Sequence, residues 1–102
     1  MLRITIQDDP KVVTMRLEGK IVGPWVEELN RSWQALMPAL NSRPFCIDLR
    51  EVAFVDDQGK QLLHEMYRKN KADFVADSPL TRYFAEEARQ KPPKAEKVEK
   101  GV

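Results

Sequence analysis

The sequence predicts an α/β protein, a four-stranded mixed sheet packed with about three helices in the order β-β-α-β-α-β-α. Three observations predict it. Two stretches of apolar–polar alternation open the chain. Three later stretches carry apolar residues at helical spacing. Short apolar runs suited to strands lie between them. Strands joined through helices run parallel with right-handed crossovers, and the opening pair adds an antiparallel member.

Leu2, Ile4 and Ile6 alternate with Arg3, Thr5 and Gln7, which predicts a half-buried first strand. Asp8-Asp9-Pro10-Lys11 is a turn signal, and Val13, Met15 and Leu17 make the second strand of a hairpin. Gly19 to Gly23 is expected to close it. Pro24 stands where a first helical residue belongs. Val26, Leu29, Trp33, Leu36 or Met37, and Leu40 then recur at helical spacing, until Pro38 bends or ends the helix. Phe45-Cys46-Ile47-Asp48-Leu49 reads as a short central strand buried on both faces.

A second helix is expected from about Gly59 to Asn70, with Leu62, Leu63, Met66 and Tyr67 inward. A last strand is expected over residues 72–76. Ser78-Pro79 opens a third helix as cap and first-turn proline, with Leu80, Tyr83, Phe84 and Ala88 inward. Residues 1–89 form the expected domain. Residues 90–102, QKPPKAEKVEKGV, hold a proline pair, four lysines, two glutamates and one lone valine before the terminal one. They are expected to form a flexible lysine-rich tail.

Composition narrows the function. A chain of 102 residues suits one domain, and 42% hydrophobic residues suffice for a real but small core. A net charge of +1 gives no basic field for nucleic acid or a membrane surface. No apolar run approaches the roughly 18 residues of a membrane span. The opening MLRITIQDDP lacks a secretory apolar stretch, so the expected compartment is the cytoplasm. The single cysteine, Cys46, excludes an internal disulfide. No nucleophile elbow, P-loop or dinucleotide fingerprint is present, so neither enzyme nor cofactor is expected.

The stretch FVDDQGKQLL, Phe54 to Leu63, sets two aspartates at the mouth of a helix. The first-turn N–H groups lack intrahelical partners, and the macrodipole is positive there. Asp56 or Asp57 can cap them, and Gly59 allows close backbone approach or an unusual dihedral. A phosphoryl-acceptor or metal pocket would need further groups. Asp48 and Lys60 are present, without a signal that they converge.

The segments VTMRLEGKIVGPWVEEL, FCIDLREVAFVDDQGKQLL and ADFVADSPLTRYF resemble, in order and spacing, a STAS domain, the fold of bacterial anti-anti-sigma factors and of the cytoplasmic tails of sulfate transporters. The middle segment is the most specific. The family places an Asp-Ser-x-Gly turn there, and its phosphorylatable serine corresponds to Asp57. The resemblance implies that Asp56, Asp57, Gln58, Gly59, Lys60 and Gln61 form a partner-binding loop and helix start. It also implies that phosphorylation of the serine breaks the complex with an anti-sigma factor. Asp57 then either imitates the phosphoserine, with less charge, or only caps the helix.

Other residues read more plainly. His64 follows a core leucine and is expected to face solvent. With one histidine and one cysteine in separate elements, no metal site is expected. Cys46 reads as a small core hydrophobe. Asp48, an acid in an apolar strand, should be paired or near the sheet edge, with a loop next to Asp57 as one site for it. Trp33 fits the core stripe. Trp25 lies one position off it and is a candidate interface residue.

The leading expectation is a non-enzymatic interaction module of the anti-sigma factor antagonist type, its partner an anti-sigma factor or kinase-like protein. The alternatives are an accessory subunit beside the ATPase of a membrane lipid transporter, and a nucleotide- or small-ligand-binding STAS domain. Self-association is compatible with all three.

Overall fold

Alternation at the N-terminus gives a hairpin, with β1 (Leu2–Asp8) antiparallel to β2 (Val13–Ile21), in a computed structural model that describes residues 1–90. Asp9 and Val12 exchange backbone hydrogen bonds across the turn, and the Asp9 carboxylate accepts the Lys11 N–H at 2.9 Å. The strand does not stop at Gly19, as the glycine suggests, but runs through it to Ile21. Gly19 has a φ of 110°, and a Cβ there would come within 2.3 Å of the Met1 carbonyl oxygen. The glycine therefore permits a close approach to the N-terminus instead of ending the strand.

Gly23, at φ 52°, turns the chain into α1 (Pro24–Leu36), which buries Leu29 and Trp33. The Trp33 indole N–H donates to Asn70 Oδ1 at 2.9 Å, so this buried aromatic leaves no donor unpaired. Pro38 acts as expected. The α-helix stops at Leu36, and residues Met37–Ala39 tighten into one 3-10 turn.

The central strand departs most from expectation. β3 (Phe45–Val55) has 11 residues and carries irregularities against its parallel neighbour β2. Arg16 pairs with Asp48 but Ile21 with Val55, so β3 takes two more steps than β2 over the same length. Bulges of this kind bend a strand and re-aim its side chains. Nor is β3 buried on both faces. Phe45, Ile47 and Leu49 enter the core, while Cys46 between them is half-buried and Asp48 lies among polar groups.

α2 (Asp57–Asn70) begins two residues before Gly59, because Asp56 caps it. It buries Leu63 and Met66. Lys71, at φ 53°, terminates it in the left-handed conformation. β4 (Asp73–Val75) is shorter than the expected 72–76 and pairs parallel with β3, completing the order β1-β2-β3-β4.

Ser78 caps α3 (Pro79–Arg89) in a reciprocal box with Thr81. α3 buries Thr81, Phe84, Ala85 and Ala88, while Leu80 and Tyr83, expected inward, are each 48% exposed. His64 is half-buried, not solvent-facing, and its Nδ1 lies 2.8 Å from the Ala88 carbonyl oxygen. α1 and α3 each contact α2, so the helices form one layer over the sheet. Gln90 ends α3, and the rest of the expected tail lies outside the described residues.

Candidate functional site at the start of the second helix

The corner between β3 and α2 is built around Asp56. Its extended backbone, φ −82° and ψ −179°, turns its side chain back over the helix entrance. Oδ1 accepts the Gly59 N–H at 2.8 Å and satisfies an orphan donor of the first turn. Oδ2 accepts the Gly23 N–H at 3.0 Å, and the Asp56 N–H donates to the Ile21 carbonyl at 3.1 Å. One residue thus pins the end of β2, the entrance of α1 and the start of α2 together.

Gly59 completes the join. A Cβ on it would lie 2.8 Å from both the Ile21 carbonyl oxygen and Val55 Cγ1. Of the two roles open to Gly59, close backbone approach is the one it plays; its φ is not positive.

Asp57, the next residue, is different. It occupies the first position of α2, is exposed, and has no hydrogen-bond or ion-pair partner among the described residues. Its charge is well placed beside the positive end of the helix, but capping does not need it. Gln58 is exposed beside it, and Gln61 is half-buried. Lys60 turns toward α3, where its Nζ donates to the Tyr83 hydroxyl at 3.2 Å and sits 5.1 Å from that ring's centre. The hydrogen bond to Tyr83 raises the Lys60 pKa, so the ammonium stays charged.

Phe54, Asp57, Lys60, Leu80, Tyr83 and Phe84 line an open groove of about 420 Å³ between this corner and α3. Sequence reasoning missed its apolar members. Phe54, next to the inward Val55, is 50% exposed.

Two other candidates fall elsewhere. Trp25 is half-buried and packs against the edge of the core. Asp48 does not reach the Asp57 loop. It lines a separate polar recess with Arg16, Arg50, Glu51 and Asp77. Arg50 grips it with two side-chain bonds, Nε to Oδ1 at 3.0 Å and a guanidinium NH2 to Oδ2 at 2.9 Å. That grip holds the Asp48 carboxyl below the usual carboxylate range, against the opposing effect of burial. Asp48 and Lys60 thus line different recesses. Among the described residues no group of three histidine, cysteine or acidic side chains is placed to hold a metal, and no helix is long and apolar enough to cross a membrane.

No family model matches the chain, and no curated protein matches it in sequence. Solved structures do match. An anti-sigma factor antagonist from Mycobacterium paratuberculosis superimposes with a TM-score of 0.70 at 25% identity, over 81% of this chain and 74% of that one. The anti-sigma factor antagonist SpoIIAA in its unphosphorylated form matches with a TM-score of 0.65 at 14% identity, over 98% of this chain and 100% of that one. A protein from Shewanella loihica with a SpoIIAA-like fold gives a TM-score of 0.58 at 12% identity, over 86% and 76% of the two chains.

Proposed function

We infer, from the STAS fold that this chain carries and from the first turn of α2, that it is a non-enzymatic protein-interaction module of the anti-sigma factor antagonist type. Its docking surface is the β3–α2 corner. The observation that carries this reading is the different use of two adjacent acids. Asp56 is consumed by backbone N–H groups of Gly59 and Gly23. Asp57, at the position of the family's phosphorylatable serine, presents its carboxylate to solvent. A charge that the helix cap does not need is available to a partner.

With aspartate in place of serine, the corner carries constant charge instead of a switchable one. A protein surface bearing arginine or lysine suits it, because opposite patches steer encounter and fix register. Nothing between Arg50 and Asp77 offers a serine or threonine hydroxyl for a kinase to use.

Affinity capture from the native cell, run in parallel with the wild-type chain and Asp57→Lys, tests the reading. A protein retained by the wild type and released by the lysine variant is expected. The captured partner, purified, should bind Asp57→Ser less well than wild type, with the larger difference at low salt. Equal affinity of wild type and the serine variant at low ionic strength would sink the charge-recognition reading.

A further inference from the structure

We propose that the groove between Phe54, Leu80 and Tyr83 is an anchor site, and that the partner's contact segment carries an apolar side chain beside an arginine or lysine. The proposal rests on the reading of the β3–α2 corner as the docking surface, and it adds where the partner is gripped and by what chemistry.

The exposed large hydrophobics among the described residues are Met1, Ile6, Phe54, Leu80 and Tyr83. Single exposed apolar residues are ordinary. Here three of them, from β3 and α3, line one groove whose lip is Asp57. Their exposure is built into the elements. α3 already has an inward stripe in Thr81, Phe84, Ala85 and Ala88, so Leu80 and Tyr83 are surplus to the core. Phe45, Ile47, Leu49 and Val55 share the buried face of β3, so Phe54 faces outward. An aromatic and leucine cluster inside a polar rim is the anatomy of an interface centre.

The rim's charges select the partner. The Asp56 carboxylate already serves backbone N–H groups. The Lys60 ammonium is held at the Tyr83 hydroxyl and ring. Asp57 is left as the exposed charge at the lip without an ion-pair partner among the described residues. A partner cation fits it. The groove is open to solvent, which suits a side chain projecting from another protein.

The probe is a displayed library of random peptides selected on the full chain. The best binder's affinity is then measured for wild type, Leu80→Ser, Tyr83→Ala and Asp57→Lys. Both groove positions are about half exposed, and matching circular dichroism and melting curves confirm that their variants are folded. Selected peptides are expected to pair an apolar residue with arginine or lysine. Each groove variant should weaken binding about tenfold or more, the scale of losing one well-packed contact. Asp57→Lys should weaken it too, most at low salt.

Binding lost with Asp57→Lys but untouched by both groove variants would overturn the anchor and leave the docking corner standing. Binding indifferent to all three variants would remove both readings. Selection of acidic peptides, or of none, overturns the proposal. So does a chain that elutes as a dimer until Leu80→Ser makes it a monomer, since the groove would then be covered by a second copy.

Discussion

The Asp56 carboxylate accepts the Gly23 N–H at 3.0 Å across 33 residues of sequence, joining the entrance of α1 to the cap of α2. Replacing Asp56 by alanine removes an N-cap, a change that costs about 0.5–2 kcal/mol, and also strips the Gly23 N–H of its acceptor. Urea titration of Asp56→Ala should show a total loss of about 1–3 kcal/mol. Asp56→Asn keeps a carbonyl oxygen for Gly59 and should lose less. An alanine variant within about 0.5 kcal/mol of wild type, the range of ordinary surface changes, would show that the bridge contributes nothing.

Gly59→Ala sets two known effects against each other. Alanine is favoured over glycine inside a helix by about 1 kcal/mol. Against that, its Cβ would lie 2.8 Å from the Ile21 carbonyl oxygen, which as backbone cannot rotate away, and 2.8 Å from Val55 Cγ1. Overpacking of this kind costs about 1–3 kcal/mol. The clash should win, and thermal melting should place the variant below wild type. A raised melting temperature would mean that α2 can slide away from β2 without penalty.

Asp48 makes stability depend on pH in a stated direction. Arg50 holds its folded-state pKa below the ordinary value of about 3.9. The ionised carboxylate is therefore favoured by folding. Its contribution is complete above pH of about 4 and is lost as pH falls through the depressed folded value. Melting curves of wild type and Asp48→Asn should differ by a constant amount from neutral pH down to about pH 5, then converge in more acid solution. A gap that stays constant below pH of about 3 would contradict the pairing.

The architecture was legible because its signals are local. Apolar periods of 2 and 3.6 residues mark β1, β2 and the helices, Pro24 and Pro38 bracket α1, and Ser78-Pro79 opens α3. The aspartate pair marked the corner for the same reason. The groove was not legible, because Leu80 and Tyr83 fit a helical apolar stripe as well as Phe84 does. Only the placement of α3 against α2 and β3 decides which of them are covered. Phe54 lies beyond the apolar run Phe45–Leu49 that marks the strand in the sequence, and β3 runs on to Val55 through Arg50 and Glu51, which carry no strand signal. The partner of Asp48 did leave a trace. Arg50 is two residues on, the spacing that puts strand neighbours on one face.

Asp57 should separate binding from folding. Its carboxylate caps nothing, so Asp57→Ser loses only an acid's interaction with the helix dipole, about 0.3–1 kcal/mol at low salt. Asp57→Lys places a cation at the same end and should lose somewhat more, with Asp56 still holding the cap. A domain with about 5–15 kcal/mol of stability keeps its fold through either change. Urea titrations should therefore rank Asp56→Ala as most destabilised, then Asp57→Lys, then Asp57→Ser. The serine variant also restores a hydroxyl to a segment whose one hydroxyl-bearing side chain, from Glu51 to Ala76, is Tyr67. A kinase acting on STAS serines should leave the wild-type segment unmodified in phosphopeptide maps and modify the Asp57→Ser chain at residue 57. Phosphate found on Tyr67 would overturn the expectation of an unmodified segment, and an Asp57→Ser chain as destabilised as Asp56→Ala would contradict the assignment of capping to Asp56.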